Sequence, residues 1–332
     1  MSPPIFAVIT GPTAVGKTEF VEVLSTRLTF PIEVINADMG QLYTPLIIGT
    51  AKPDLSVQKI PHHLFNVLNS PQDFTVSRYR EKVLEVITQI TNRKTLPVIV
   101  GGSSFYLASL FYPPVAVNEE TVSPDIFAQE NTNDLWEALN RVDSQRAEQI
   151  HRNDRYRITR ALTIWHNIGL VPSQIKPVFN PLGLCSLYFL TRDKEDLAQR
   201  IKQRTSLMLN AGWMKEVQEL PQHWKDFLLS KKIIGYPEII SYIEQREIKD
   251  YSDDAFEHLV ERIESRTRGY AKRQITYWKK LKSQLLESDP KQAVIKYMVE
   301  MNLTLSPIDL YLEQIIKQLE NLYTSMYPDR DR

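Results

Sequence analysis

The segment Gly11–Thr18, with the sequence GPTAVGKT, constrains this chain more than any other feature. It matches the pattern G-x-x-x-x-G-K-[ST] and stands between a β-rich run, Ile5–Thr10, and a run with helical apolar spacing, Lys17–Leu28. In this setting the backbone amides turn inward and cradle phosphate oxygens, and the helix N-terminus adds a favourable dipole. The motif therefore predicts an α/β fold that binds a phosphate-bearing small molecule.

Every residue of this motif, the P-loop, is a candidate for diphosphate binding. The candidates are Gly11, Pro12, Thr13, Ala14, Val15, Gly16, Lys17 and Thr18. Lys17 would neutralise the terminal phosphate charge. The Thr18 hydroxyl would ligate Mg²⁺, whose remaining sites are filled by phosphate oxygens and water. The sequence thus predicts Mg²⁺ as the cofactor, with Thr18 as its protein ligand.

Two further predicted strands end at residues with useful chemistry. Ile32–Asn36 is followed by Asp38, and Leu96–Val100 is followed by two glycines and Ser103. Alternating strands and helices indicate a parallel sheet with helices on both faces, and the carboxyl ends of such strands face the ligand crevice. We therefore expect Asp38 and Ser103 at the same edge as the P-loop. Asp38 could accept a proton or ligate a metal, but each side chain could equally cap a helix.

A change of pattern after the third strand divides the chain. We predict a P-loop core at residues 1–112 that continues, with basic helices, at 183–285. An inserted helical domain is predicted at 113–182. The remainder, 286–332, is predicted to be a helical tail of unknown role, with one amphipathic helix at Ile308–Met326.

Charge is unevenly distributed along a chain whose formal net charge is zero. Residues 1–130 hold nine Lys/Arg and twelve Asp/Glu, whereas residues 152–282 hold 24 and 16. Within the second part, Arg268–Gln274 (RGYAKRQ) interleaves cations with an aromatic residue, as nucleic-acid surfaces often do. This asymmetry favours a small-ligand lobe and a polyanion-binding surface, although solvated basic helices would show the same charge pattern.

Cysteine use and hydropathy bear on location. Cys185 is the single cysteine and cannot form an internal disulfide, which favours a reducing, cytoplasmic setting. We also expect no signal peptide and no membrane span.

Several charged pairs have two interpretations. Arg157 and Arg160 stand at i, i+3, and Arg200 and Arg204 at i, i+4, so each pair would share one helix face and could contact phosphate. Exposed salt bridges would use the same spacing. The adjacent pair His62–His63 lacks partners at metal-ligand spacing, which favours a structural role.

Taken in order, eight segments resemble one family over about residues 5–280. They are GPTAVGKT, NADMGQLY, IGTAKP (Ile48–Pro53), PHHLFNV (Pro61–Val67), PVIVGGSSFYL (Pro97–Leu107), HRNDRYRITRAL (His151–Leu162), GYPEII (Gly235–Ile240) and TRGYAKRQITYW (Thr267–Trp278). These segments are similar to the ordered motifs of bacterial tRNA dimethylallyltransferases, also called tRNA isopentenyltransferases or the IPP transferase family.

The resemblance implies an enzyme with a P-loop nucleotide-kinase-like core and an inserted helical domain. It would transfer a dimethylallyl group from dimethylallyl diphosphate to the exocyclic amine of the tRNA adenosine just 3′ of the anticodon, releasing pyrophosphate. Asp38 matches the family's general base, and Ser103 matches a family Thr near the reacting centre. Lys17, Arg200 and Arg204 would stabilise the leaving group.

The same resemblance implies a monomer that binds the tRNA anticodon stem-loop. The residues expected to contact tRNA are Asp38, Met39, Gly40, Gln41, Ser103, Tyr156, Arg157, Ile158, Thr159, Arg160, Lys232, Gly235, Tyr236, Lys272 and Arg273. Three positions depart from the family pattern: Met39 replaces a Ser, Gly40 follows it, and Pro237 replaces Arg or Lys. The inserted domain is also shorter around 115–135. These departures bear on tRNA affinity or choice more than on the reaction.

Two other function classes remain open from the sequence. A small-molecule phosphotransferase on the same core would turn over nucleoside triphosphate without RNA, and it would not need the basic tract at 262–282. A catalytically impaired homologue would bind tRNA and form no product, with Met39 and Pro237 marking the loss. The complete set of Lys17, Thr18 and Asp38 argues against that second class.

Overall fold

The structure of the chain, a computed structural model, describes residues 3–115, 127–246, 253–306 and 308–327. Within these residues the chain forms six β-strands and twelve α-helices. In chain order they are β1 (Ile5–Thr10), α1 (Lys17–Arg27), β2 (Ile32–Asn36), β3 (His62–His63), α2 (Val76–Asn92), β4 (Leu96–Gly101), α3 (Ser104–Ser109), α4 (Thr132–Val142), α5 (Ser144–Glu148), α6 (Arg155–Ile168), β5 (Leu184–Thr191), α7 (Lys194–Asn210), α8 (Trp213–Glu219), α9 (Gln222–Lys231), α10 (Tyr236–Arg246), α11 (Asp253–Ser288), β6 (Ile295–Asn302) and α12 (Ile308–Met326).

The six strands form one parallel sheet in the order β3-β2-β4-β1-β5-β6. The predicted α/β class, with a parallel sheet and a P-loop after β1, is confirmed, as are the three predicted strands β1, β2 and β4. Their near-continuous burial is typical of central parallel strands covered on both faces.

Helices α1 and α12 cover one face of the sheet. The predicted amphipathic helix Ile308–Met326 is confirmed as α12, and its buried residues Leu312, Ile315, Leu319 and Leu322 recur at helical spacing. Each side chain of this size contributes about 1.5–3 kcal/mol when it is fully buried. The C-terminal segment is thus part of the core.

The description of residues 286–332 as a helical tail is wrong for part of that segment. Strand β6 pairs in parallel with β5 and extends the sheet at its edge. Its exposed and half-buried positions, which include Lys296 and Glu300, hid the strand from an apolar pattern search, because an edge strand needs few buried side chains.

Helix α2 makes a hydrogen bond that holds the end of strand β2. Its N-cap residue is Thr75, whose hydroxyl accepts a hydrogen bond from the Arg78 amide at 3.2 Å. The buried Tyr79 hydroxyl donates to the carbonyl of Asn36 at 3.0 Å. That bond fixes the end of β2, two residues before Asp38.

Contacts divide the chain into two compact units, one formed by Met1–Phe111 with Pro181–Arg332 and the other by Tyr112–Asn180. The second unit contains α4, α5 and α6 around its own buried cluster, to which Leu135, Leu139 and Ile158 contribute. Among the described residues, no helix is long and apolar enough to cross a membrane.

Candidate active site

Three loops meet at the carboxyl edge of the sheet. Thr10 at the end of β1 pairs with Gly101 of β4, and Asn36 at the end of β2 pairs with Val100. The loops that follow these strands are therefore neighbours, as the sequence predicted for the P-loop, Asp38 and Ser103. The Ser103 amide donates to the carbonyl of Ala37 at 3.0 Å and thereby joins two of the loops.

The P-loop has the backbone conformation that its glycines permit. Gly16 has a φ of 105° at the start of α1, in the left-handed region that disfavours other residues. A Cβ on Gly11 would lie 2.3 Å from the backbone oxygen of Leu190, closer than side-chain atoms can approach. The backbone geometry of the loop therefore requires glycine at both positions.

The Lys17 ammonium group lies against the P-loop and hydrogen-bonds to the loop's carbonyl oxygens. Its Nζ donates to the carbonyls of Gly11 and Pro12, at 3.0 Å each. Burial lowers the pKa of Lys17 to about 8, while the negative charge of Asp38 opposes that shift and the positive charge of Arg204 adds to it. An arriving anion would favour the protonated form.

The predicted pair on α7 reaches the P-loop. Arg204 donates from Nη2 to the Thr13 hydroxyl at 2.7 Å, and burial lowers its pKa. Arg200 donates from Nε to the carbonyl of Ala14 at 3.0 Å and also pairs with Glu19 at 3.3 Å. Arg200 thus supports the loop and makes a salt bridge, while its contact with phosphate stays a prediction.

Two residues that the sequence did not single out also brace the P-loop. Arg192, just after β5, donates to the carbonyl of Val15 at 2.9 Å. Gln274 of α11 accepts from the Thr13 amide at 2.8 Å and donates to the Gly102 carbonyl at 2.7 Å. The position of Arg192 at a strand end could have identified it. Gln274 lies in the cation-rich RGYAKRQ segment, but nothing local indicates that its partner is the P-loop.

Asp38 is held by its backbone and by one of its carboxylate oxygens. The Asn36 side chain accepts from the Asp38 amide at 2.8 Å, and Oδ1 of Asp38 accepts from the Gly40 amide at 3.0 Å. In the described part of the chain no hydrogen bond or ion pair uses Oδ2. The N-cap residue of the short 3-10 helix at 40–42 is Met39, so Asp38 bonds within its own turn rather than as the helix N-cap, and it still has an oxygen to offer.

Burial is the largest influence on the Asp38 carboxyl and raises its pKa, although the nearby charges of Lys17 and Arg204 and the Gly40 amide act in the opposite direction. A carboxylate whose burial weakens its preference for charge accepts a proton more readily than an ordinary surface acid. The Ser103 hydroxyl accepts from the Met39 amide at 2.9 Å and so fixes the turn that carries Asp38.

One open pocket is lined by Asp38 together with Lys17 and Thr18 of the P-loop. Its polar lining comes from seven side chains, those of Lys17, Thr18, Glu22, Asp38, Gln41, Gln58 and His62. The apolar lining comprises Val21, Val34, Pro53, Ile60, Phe65 and Val100. The pocket can therefore hold a charged group and a hydrocarbon group side by side.

The oxygen donors of this pocket suit a hard cation. Thr18 offers a hydroxyl and Asp38 a carboxylate, and both line the pocket beside Lys17. No cluster of three or more His, Cys, Asp or Glu able to hold a metal occurs among the described residues. This donor set fits an ion such as Mg²⁺, which keeps several waters and shares phosphate oxygens, rather than one enclosed by protein ligands.

The basic face predicted on α11 is exposed. Lys272 and Arg273 are both accessible, and the Arg273 guanidinium lies 5.8 Å from the ring centre of Tyr270. Tyr270 itself is half-buried, and burial raises the pKa of its hydroxyl, to which the nearby charge of Asp38 adds. One helix thus presents cations outward and contacts the P-loop through Gln274.

The GYPEII segment is placed differently from its prediction. Tyr236 is 0% exposed, so the prediction that its side chain contacts RNA is wrong. Gly235 is also buried, with a φ of 91° and no space for a side chain beside Trp213. Lys232, at the end of α9, is exposed as an RNA contact requires. The residue types Gly and Tyr suit a tight core as well as a binding surface, which explains the error.

The predicted RNA-contacting helix of the second unit is α6. Tyr156 is 75% exposed, and Arg157 pairs with Asp154 at 3.3 Å. Ile158 is 0% exposed and belongs to that unit's core, so its predicted RNA contact is wrong. The Thr159 hydroxyl donates a hydrogen bond to the Arg155 carbonyl at 2.9 Å. Arg160, half-buried, shares the helix with them.

Comparison with known proteins gives consistent results. The family model described as IPP transferase matches residues 41–281. The chain is 32% identical over 286 residues to the tRNA dimethylallyltransferase of Pseudothermotoga lettingae, covering 84% of this chain and 88% of that protein. It is 35% identical over 285 residues to that of Bacillus cereus, covering 82% and 86%.

A solved structure extends the likeness to the fold. Crystal structures of a eukaryotic dimethylallyltransferase acting on tRNA match with a TM-score of 0.75 and 25% identity. The match covers 97% of this chain and 80% of that one.

Proposed function

This chain belongs to the IPP transferase family, and we propose that it transfers a dimethylallyl group from dimethylallyl diphosphate to a tRNA adenosine. The acceptor is the exocyclic amine of the adenosine just 3′ of the anticodon, and the second product is pyrophosphate. One observation supports this reaction most directly: the Asp38 carboxylate and the P-loop residues Lys17 and Thr18 line a single pocket with an apolar wall.

The P-loop side of the pocket supports loss of the diphosphate. As the bond between the allylic carbon and the diphosphate oxygen breaks, the electron pair and the developing negative charge pass to the diphosphate. Lys17, Arg204 and Arg200 supply positive charge at the loop, and the α1 N-terminus adds its dipole. Lys17 would exchange its two carbonyl partners for phosphate oxygens, which are stronger acceptors because they are charged.

The Asp38 side of the pocket supports the new bond. The adenine amine is a weak nucleophile because its lone pair is delocalised into the ring. Oδ2 of Asp38 would accept a proton from this amine as the nitrogen bonds to the allylic carbon. Ser103 would act on the same turn through its bond to the Met39 amide. Holding both reactants in one pocket makes the encounter effectively unimolecular.

We assign Thr18 as the protein ligand of Mg²⁺, with the Asp38 carboxylate on the same pocket wall. A bound Mg²⁺ supplies additional positive charge to the diphosphate leaving group. The ion would otherwise be held by diphosphate oxygens and water.

The tRNA partner would be recognised by backbone charge and by an unstacked base. Lys272 and Arg273 on α11, with Lys232, would contact phosphates in the first unit. Tyr156 and Arg157 would do so in the second unit. The target adenine must leave its stack to enter the pocket, as enzymes that modify bases require.

The test is a transfer assay with purified protein, Mg²⁺, dimethylallyl diphosphate and total tRNA. We expect release of pyrophosphate and a prenylated adenosine, mapped by mass spectrometry to the position 3′ of the anticodon. A nucleoside triphosphate in place of the prenyl donor should give no RNA-independent turnover. Absence of transfer to every tRNA species would refute the proposal.

A further inference from the structure

A single carboxylate on α8 receives four hydrogen bonds from two other parts of the core. Oε2 of Glu216 accepts from the backbone amides of Ile47 at 2.9 Å and Ile48 at 2.6 Å. Oε1 accepts from the amide of Gly49 at 3.2 Å and from the hydroxyl of Tyr236 at 2.8 Å. The mechanism described above does not use this cluster, which we call the Glu216 clamp.

The four donors specify an ionised carboxylate. Only a carboxylate presents acceptors on both oxygens and no donor, whereas the amide of glutamine would direct N–H groups at other N–H or O–H groups. Hydrogen bonds to a charged acceptor are also roughly twice as strong as neutral ones. The clamp therefore holds the 47–49 backbone more firmly than any neutral side chain of that length could.

The Trp213 ring packs against the same backbone turn that the Glu216 clamp holds. A Cβ on Gly49 would lie 2.1 Å from the Trp213 indole nitrogen, and one on Gly235 would lie 1.9 Å from the same ring. Both glycines thus let backbone lie directly against Trp213. Tyr236, which contacts this ring edge-on at 5.7 Å, supplies the fourth hydrogen bond to Glu216.

The clamped turn continues into the pocket. The carbonyls of Thr50 and Ala51 accept from the side-chain amide of Gln41, at 3.1 and 3.2 Å. Gln41 lines the pocket together with Asp38. The Thr50 methyl would lie 3.0 Å from a Cβ on Gly40, the residue whose amide holds Asp38. Through its contacts with Gln41 and Gly40, the 47–51 turn therefore supports the 38–41 turn.

We propose that Glu216 is a positioning residue for the acceptor base: through the 47–51 turn it fixes Gln41 at the pocket wall where the adenine must enter. The inference rests on the proposed function, since it takes the pocket as the meeting point of base and diphosphate. The P-loop makes no hydrogen bond to the clamp or the 47–51 turn within the described residues. Loss of the clamp should therefore weaken binding of RNA and leave binding of diphosphate unchanged.

The experiment measures binding separately from chemistry. Glu216→Gln and Tyr236→Phe are compared with wild type for the Kd of an anticodon stem-loop RNA and the Kd of inorganic pyrophosphate with Mg²⁺. Glu216→Gln should weaken RNA binding about tenfold and change pyrophosphate binding less than about twofold. Tyr236→Phe, which removes one bond of four, should shift the RNA Kd in the same direction by a smaller factor. Glu219→Gln is the matched control, because Glu219 is on the same helix, is exposed and pairs with Lys215 at 3.6 Å.

Unchanged RNA binding in Glu216→Gln would overturn the proposal, as would equal weakening of both ligands, which would indicate general loss of structure. If Glu216→Gln does not fold, Tyr236→Phe decides by the same comparison of the two Kd values. Failure of the proposed function would appear elsewhere, as a wild-type protein that forms no prenylated RNA.

Discussion

Replacing Asp38 by asparagine tests the assignment of the general base while preserving the shape of the pocket. The asparagine Oδ1 can still accept from the Gly40 amide, as Asp38 does at 3.0 Å. The Asn36 side chain bonds to the backbone of Asp38 and not to its carboxylate, so the exchange leaves those bonds in place. The turn should therefore stay in place. What disappears is the second oxygen, Oδ2, as an acceptor for the adenine proton.

The size of the effect follows from this single loss. A positioned general base contributes about 10²–10⁴-fold in rate. At 1.36 kcal/mol for each factor of ten, this range corresponds to about 2.7–5.5 kcal/mol of transition-state stabilisation. We expect Asp38→Asn to lower kcat within this range. Pyrophosphate should bind at least as tightly, because one negative charge has left the neighbourhood of Lys17.

The variant should also change the pH dependence and the stability in defined directions. Wild-type kcat/KM should fall as the pH drops through the raised pKa of Asp38, because the base must be ionised, and the variant should lack this acid limb. A carboxyl whose folded pKa is raised stabilises the fold below its unfolded pKa and loses that contribution as the pH rises through the folded pKa. At neutral pH, Asp38→Asn should thus be at least as stable as wild type.

The assay is single-turnover prenyl transfer to tRNA, with pyrophosphate affinity and urea unfolding measured on the same samples. Asp309→Asn serves as a matched control, since the Asp309 side chain is 74% exposed. Asp309 lies in α12 and pairs with Arg27 of α1. A normal turnover rate in Asp38→Asn would refute the base assignment. Loss of pyrophosphate binding in that variant would show that the pocket itself had changed.

Three further predictions concern the rest of the site. Gln274→Glu removes the donor to the buried Gly102 carbonyl and should lower the free energy of unfolding by about 1–3 kcal/mol, measured in urea. Lys272→Ala with Arg273→Ala should weaken tRNA binding and reduce the slope of log K against log salt by about 2. Thr18→Val should raise the Mg²⁺ concentration for half-maximal transfer at least about tenfold, because even outer-shell partners of a metal contribute that much.

Each of these three predictions has a control variant. Gln203→Glu makes the same chemical change at an exposed position of α7 and should leave stability near wild type. Lys317→Ala removes an exposed cation from α12 and should not alter the salt slope. Thr18→Ser keeps the hydroxyl and should keep the Mg²⁺ dependence. If a control changes as much as its partner variant, the corresponding residue has no special role.

The sequence predicted the sheet and the location of the site because both depend on local patterns. The P-loop spacing, the buried strands and the residues just after β2 and β4 are contiguous in the chain, and parallel pairing brings such strand ends to one edge. Asp38, Ser103 and Lys17 could therefore be placed together without knowledge of any distant contact. Strand β6 was missed because its edge position removes the apolar pattern.

Only the tertiary structure decided which distant residues complete the site. Gln274 meets Thr13 across 261 positions, and Glu216 meets Ile47 across 169 positions. Amphipathic spacing shows which face of a helix is buried, but it does not specify which polar side chain meets which backbone group. Tyr236 and Ile158, which the family resemblance implied as RNA contacts, are core residues, because a motif match does not show which of its side chains are buried.

The P-loop shows both contributions in one segment. Its sequence determined that a helix N-terminus and a ring of amides would bind phosphate, since glycine positions and a Lys-Thr pair suffice for that geometry. The fold alone determined that Arg192 and Gln274 would also bond to it. These side chains arrive from separate helices and strands, whose packing is set by the whole core rather than by any local run of residues.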